Sequence, residues 1–315
     1  MTAPHPALLV RSGLDDAALR RATARGDLVR VASGRHVRSE HWETYDENAR
    51  HAMRAIAVVS RMASPKVLSH ASAGAAWGFP RLGPLPARVE VIDPAATIPQ
   101  TTSTARKHAG PLGAGDVVER YGVPVTTAAR TTLDLVVSGT LRQAVVVLDH
   151  ALRTGLTDTE DLVDRLLARG NCRNRKRARR AIDFATPLAE SPGESLSRLV
   201  IAEAGLEPPH LQHAFSTHRG RFVVDFWWPA VGDVGEFDGE TKYLESDRWS
   251  GRSAAKTVLR EKYREDAIRG VPGVRAFVRW SWRDALTPAQ VPTLLARAGV
   301  SRCDVTSRAW CRVET

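Results

Sequence analysis

Residues 225–242 read DFWWPAVGDVGEFDGETK, and two strand-like segments in and around this stretch carry acidic side chains towards a glycine turn. In the first, residues 221–227, period-two alternation predicts Phe222, Val224 and Phe226 on one face and Val223, Asp225 and Trp227 on the other. Asp225 then sits among apolar neighbours. In the second, residues 234–238, Glu236 and Asp238 share a face, roughly 6 to 7 Å apart along the strand. The intervening residues 229–233 are short enough to close a hairpin, which would pair the strands and bring Asp225 to the other two acids. Convergent carboxylates are the donor set that a magnesium-dependent phosphodiester-cleaving site requires.

Upstream, SPGES opens a helix. Ser191 as N-cap, Pro192 at the first helical position and Glu194 at the third match a capping box, which gives Glu194 a structural role without chemistry. Leu196, Leu199, Val200 and Ala204 form the apolar stripe of that helix, and Gly205 closes it. Strands follow at 211–215, 221–227 and 234–238, then a helix at 254–269 and a strand at 274–280. The order is α-β-β-β-α-β.

The whole chain bounds this reading. Its 315 residues, 43% hydrophobic and 25% charged, suit two or three domains with an ordinary core. Net charge +10 and a pI near 10.1 favour a polyanionic partner. The opening MTAPHPALLVRSGLDD lacks a cationic stretch followed by a long apolar one, and no window approaches the roughly 18 to 20 apolar residues of a membrane span. The expected location is the cytoplasm. Cys172, Cys303 and Cys311 form no CxxC pair and are odd in number, which argues against a disulfide framework or a structural zinc site.

The first forty residues predict a small helix-turn-helix with a wing. Asp15 caps a helix to about Arg25, Gly26 stops it, and segments 28–31 and 36–38 form a hairpin through Ser33 and Gly34. Arg20, Arg21 and Arg25 on the helix, with Arg30, Arg35 and Arg38 in the wing, are candidates for DNA phosphates and base edges; the alternative is a solvated basic face. Residues 41–188 form a mixed region. Tyr45, Ala49, Ala52, Ile56 and Val59 give a helix one buried face. Strands are expected at 88–92 and 117–121, and helices at 128–137, 141–153 and 158–169, the last opened by a Thr157/Glu160 capping box. His70, opening a small-residue helix after Ser69, reads as a structural histidine. The basic run RGNCRNRKRARRAID carries Arg177 and Arg180, read equally as a solvated helix and as a phosphate-tracking segment.

The element order with Glu194, Asp225 and Glu236 resembles the core of the PD-(D/E)XK nuclease superfamily. FDG followed by REKYRED and VRAFVRWSW resembles its Vsr-like branch, over residues 189 to 290. Residues 1–188 are similar to the AbiEi-like type IV antitoxin family, through the winged helix, VLSHASAGAAWGFP, GVPVTTAARTTLDL and AVVVLDHAL. The resemblance implies an α+β multi-domain chain: a winged helix-turn-helix at 1–40, an AbiEi-like α/β region at 41–188 and an αβββαβ restriction-endonuclease-like domain at 189–300; residues 301–315, SRCDVTSRAWCRVET, show no periodicity and are expected to form a loose tail.

It further implies that Asp225 and Glu236 bind Mg2+ or Mn2+, with a backbone carbonyl near Phe237, that Glu194 orients a metal-bound water, and that a lysine stabilises the transition state. The motif lysine belongs two residues after Glu236, where this chain has Asp238. Lys242 or Lys262 could replace it. Asp238 either starts a turn with Gly239 or acts as a further ligand. Alternatively Arg260, Arg264 and Arg269, among Glu261, Glu265 and Asp266, neutralise the acids as an inert ion-pair network. Trp227, Trp228, Trp280 and Trp282 are expected to pack the sheet against its helices. Two functions follow: a metal-dependent DNA endonuclease, or a DNA-binding repressor or antitoxin with a degenerate nuclease-like domain and a nucleotidyltransferase-like toxin as partner.

Overall fold

The computed structural model describes residues 10–11, 16–62, 66–239 and 251–303, with backbone alone for 10, 11, 16 and 251–258. Asp15, Lys242, Cys311 and the tail from 304 lie outside the described residues. The chain divides into two compact units, residues 1–183 and 184–315, both mixing helices and strands.

In the first unit, strand β1 (Val10–Arg11), helix α1 (Asp16–Ala24) and strands β2 (Leu28–Ala32) and β3 (Arg35–Arg38) come first. The strands form a three-stranded sheet ordered β1-β3-β2. Gly26, at φ 83°, ends α1, and Gly34, at φ 61°, turns the hairpin; both lie in the left-handed region that glycine tolerates. Helices α2 (Ser39–Thr44) and α3 (Glu47–Val59) follow, and Asp46 caps α3 by accepting from the Ala49 amide at 2.7 Å. Val31 and Val37 of the hairpin share one apolar core with Tyr45, Met53 and Ile56, so the hairpin packs against α3 and against Tyr45 before it.

That core continues onto a six-stranded mixed sheet. Strands β4 (Val67–Leu68), β5 (Val89–Asp93), β6 (Gln100–Thr101), β7 (Ala105–Ala109), β8 (Val117–Arg120) and β9 (Val123–Thr126) run in the order β6-β7-β5-β4-β9-β8. Around the sheet are helices α4 (His70–Trp77), α5 (Ala128–Ser138), α6 (Leu141–Arg153), α7 (Thr159–Ala168) and α8 (Arg175–Phe184). The N-cap of α7 is Asp158, accepting from the Asp161 amide at 2.8 Å, and not Thr157. The Thr157 hydroxyl instead donates to the Asp161 carboxylate at 3.1 Å, because a carboxylate one residue on outcompetes it for the amide.

The second unit runs helix α9 (Pro192–Glu203), strands β10 (His210–Thr217), β11 (Gly220–Trp228) and β12 (Asp233–Asp238), helix α10 (Gly251–Arg269), strand β13 (Ala276–Ser281), and helices α11 (Trp282–Leu286) and α12 (Gln290–Ala298). The sheet is ordered β10-β11-β12-β13: two antiparallel pairings, then a parallel one from β12 to β13 across α10. Residues 301–303, expected in a loose tail, pair along 205–207 through a Leu206–Arg302 bridge and a bond from the Cys303 amide to the Gly205 carbonyl.

One expected pattern fails in β11. Phe222 and Val224 pack in an apolar cluster with Trp227, Val234 and Ile268, whereas Phe226 stacks with Trp228 and Trp280. Strict alternation would keep Val224 and Phe226 together and apart from Trp227. The face changes at Asp225, at the irregularity described below. The tryptophans pack as expected: Trp228 and Trp280 are buried, and the Trp280 indole donates to the Ser197 hydroxyl of α9 at 2.7 Å. Gly235 makes room for them, since a Cβ there would lie 2.6 Å from the Trp280 ring.

Candidate acidic site on the sheet of the second unit

The site forms where the β11–β12 ladder stops. Its pairs are Trp228 with Asp233, Trp227 with Val234 and Phe226 with Gly235; the next residues on each strand are Asp225 and Glu236. There the Phe237 amide donates to Asp225 Oδ2 at 2.8 Å, so a carboxylate takes a donor that a continued ladder would use. On the other edge, β10 pairs with β11 on both sides of Asp225, through Leu211–Phe226 and His213–Val224. Gln212, between them, has φ 49°, a conformation costing a non-glycine residue about 1 kcal/mol or more. Its side-chain amide donates to Glu194 Oε2 at 3.0 Å.

Glu194 arrives from the first turn of α9. Ser191 caps that helix by accepting from the Glu194 amide at 3.2 Å, while the Glu194 carboxylate accepts from the Glu190 amide at 2.9 Å, one residue before the cap. The predicted capping role is therefore present, displaced by one residue and shared with Gln212. The helix end approaches β12 so closely that a Cβ at Gly193 would lie 2.0 Å from the Phe237 ring.

Burial pushes the Asp225 carboxyl up to about 7; neighbouring Glu194 and Glu236 add to the rise, while the Phe237 amide and Arg264 oppose it. Burial also raises Glu194 and Glu236 from their ordinary values. Glu236 differs in having strong partners. Arg264 of α10 reaches its Oε1 at 2.5 Å and Arg279 of β13 its Oε2 at 3.3 Å. Arg264 Nη2 also donates to the Val223 carbonyl at 2.5 Å, and the approach to Oε1 is an ion pair without hydrogen-bond alignment. Glu261 joins both arginines at 2.9 Å, and Glu265 meets Arg279 at 3.1 Å.

This is the guanidinium network expected as the inert alternative, built from Arg264 with Arg279 and not from Arg260. Lys262 is exposed, one position off the helix face that carries Glu261, Arg264 and Glu265, and among the described residues no contact ties it to the acids. Lys242 lies outside the described residues. Asp238 ends β12 opposite Ser281, and no hydrogen bond or ion pair among the described residues engages its carboxylate.

Among the described residues, no three His, Cys, Asp or Glu side chains are grouped so as to hold a metal ion. Glu236 already faces two guanidinium groups, which supply the positive charge that Mg2+ or Mn2+ would bring. The donor set in this geometry does not fit such an ion. Asp225 is left beside Glu194, whose negative charge disfavours ionisation of Asp225.

The DNA-contact candidates are dispersed through the first unit. Arg20, Arg21 and Arg30 are exposed on α1 and β2. Arg25 pairs with Asp27 at 2.9 Å and Arg38 approaches Glu40 at 3.8 Å. Arg35 is half-buried, with a buried Nε lacking a partner. In α8, Arg177 donates to the Val137 carbonyl at 3.0 Å and so acts inside its own unit; Arg180 is half-buried. Sequence reasoning missed Gln212 and Arg279. Gln212 left no signal, whereas Arg279, an arginine inside an apolar strand run, did.

No protein-family model matches the sequence. Two curated relatives, the uncharacterized protein Rv2248 of Mycobacterium tuberculosis strain H37Rv and the uncharacterized protein MT2308 of strain CDC 1551, are each 32% identical over 123 residues. The match covers 39% of this chain, which spans 42% of the length of those relatives. The crystal structure of the RV2827C protein from M. tuberculosis is similar at a TM-score of 0.33 and 18% identity, over 59% of this chain and 69% of that one. A likeness that distant supports no statement about function.

Proposed function

We propose that the chain is a duplex-DNA-binding regulator whose second unit keeps the framework of a PD-(D/E)XK nuclease without its hydrolytic chemistry. In this reading α1 and the β2–β3 hairpin serve as helix and wing, presenting Arg20, Arg21 and Arg30 to phosphates. The net charge of +10 favours such a partner. The resemblance of residues 1–188 to AbiEi-like antitoxins extends the reading to a cytoplasmic repressor or antitoxin with a nucleotidyltransferase-like toxin as its protein partner. The observation that carries the silent-site half is the commitment of both Glu236 oxygens to Arg264 and Arg279.

A second reading, a Mg2+- or Mn2+-dependent endonuclease, is favoured by one observation: the Asp225 carboxyl, pushed up to about 7 by burial and by its acidic neighbours, is a site that added positive charge would relieve. That reading requires the guanidinium groups to leave Glu236.

Duplex binding is tested by anisotropy across a salt series. Arg20→Ala with Arg21→Ala lowers affinity alike for unrelated sequences and reduces the log–log salt slope by about 0.9 for each phosphate that the protein no longer neutralises. Unchanged affinity and slope would remove α1 from the DNA interface.

A further inference from the structure

A cleft of about 660 Å3 lies between α1 and the β2–β3 hairpin, and among the described residues its charged lining is Arg20, Arg30 and Arg61, with no carboxylate. Thr23, His36, Ser33 and Gly34 supply the remainder of the polar wall. Among the described residues none of these three guanidinium groups has an ion-pair or hydrogen-bond partner. Nearby cations contrast with them: Arg25 is paired to Asp27 at 2.9 Å and Arg38 stands 3.8 Å from Glu40. Arg25 and Arg38, outside the lining, thus stand by acids, whereas among the described residues the three arginines of the lining do not.

Two further observations point to a ligand. His36 is only 7% exposed and its Nδ1 has no partner, which leaves a buried polar atom in the cleft wall at a cost of about 1–3 kcal/mol. Arg61 is seated against the hairpin turn, where Gly34, at φ 61°, leaves it room: a Cβ there would lie 2.8 Å from the Arg61 guanidinium, which would have to shift. The turn therefore allows a third guanidinium to reach the cleft from the far side of the hairpin.

We infer that this cleft is a phosphate site in which Arg20, Arg30, Arg61 and His36 take one backbone phosphate of the bound duplex. Guanidinium groups suit a phosphate because each offers paired donors in a planar fork. Burial and then Arg30 lower the His36 pKa, so the ring is neutral near pH 7, and its Nδ1-protonated tautomer is one more donor. The assignment rests on the DNA-binding reading for its source of phosphate, and adds Arg61 and His36, which lie outside the helix-and-wing arginines.

The test uses the full chain and two probes. Inorganic phosphate is titrated while the His36 ring nitrogens are followed by NMR, and duplex binding is measured across a salt series. The site predicts a saturable shift of the His36 signals that is lost in Arg61→Gln and in Arg30→Gln. It also predicts that Arg61→Gln, with its unfolding temperature unchanged, lowers the salt slope by about 1. Absence of a His36 shift, or the same shift in both variants, overturns the site. A phosphate response in a chain that binds no duplex overturns the backbone assignment and fails the DNA reading, leaving a free phosphorylated ligand as the occupant.

Discussion

Asp225 concentrates the energetic conflict of the second unit. An aspartate in an unfolded chain titrates near pH 4, about 3 units below the folded-state value of about 7. The folded state therefore binds the proton more tightly. Its contribution is present in full below the unfolded pKa, is lost as pH rises to about 7, and is level above that. Glu194 and Glu236 are shifted in the same direction. Unfolding followed in urea from about pH 4 to 8 should show wild-type stability falling, by at most about 4 kcal/mol from Asp225. Asp225→Asn should make that fall shallower without abolishing it, and an unchanged slope would place the strain elsewhere. Gly193 makes a separate residue-scale prediction. Gly193→Ala drives a methyl into the Phe237 ring and should cost about 3 kcal/mol, whereas Gly270→Ala, whose Cβ meets nothing closer than 3.5 Å, should be nearly neutral. Equal costs would contradict the packing of α9 on β12.

Helix α10 and strand β13 clamp Glu236 from two elements. Arg264→Ala leaves a buried carboxylate with Arg279 alone and should destabilise by about 2–3 kcal/mol in chemical denaturation; adding Glu236→Gln should restore much of it. Additive losses would mean that the pair does not interact. The α10 half of this clamp was legible in the sequence, because Glu261, Arg264, Glu265 and Arg269 recur at helical spacings of three and four. In the β13 half Arg279 stood out as an arginine inside an apolar run, but its partner did not: that strand lies parallel to β12, beyond a long crossover, and spacing gives no sign of which residues face each other. The alternation in β11 misled at Asp225, where the Gln212 backbone enters the left-handed region and the face changes. In the first unit the amphipathic helices were legible from their apolar stripes. Strand β4 was not, because two buried residues contain no period.

At the scale of the whole chain, the order α-β-β-β-α-β of the second unit could be read from residues 189–280, because turn glycines and apolar runs separate its elements clearly. The six-stranded sheet of the first unit could not, being assembled from short strands widely separated in sequence. No helix among the described residues is long and apolar enough to cross a membrane. Under the proposed function the molecule as a whole is a basic chain that holds duplex DNA and leaves its phosphodiester bonds intact, since the second unit has placed arginines where hydrolysis calls for an exchangeable cation. The most direct measurement incubates supercoiled plasmid with the full chain in Mg2+ or Mn2+, alongside Asp225→Ala and Glu236→Ala, and reads both mobility shift and strand breaks. The predicted result is a salt-sensitive shift with no nicking in any of the three proteins. Metal-dependent nicking by the wild type that both substitutions abolish would contradict it.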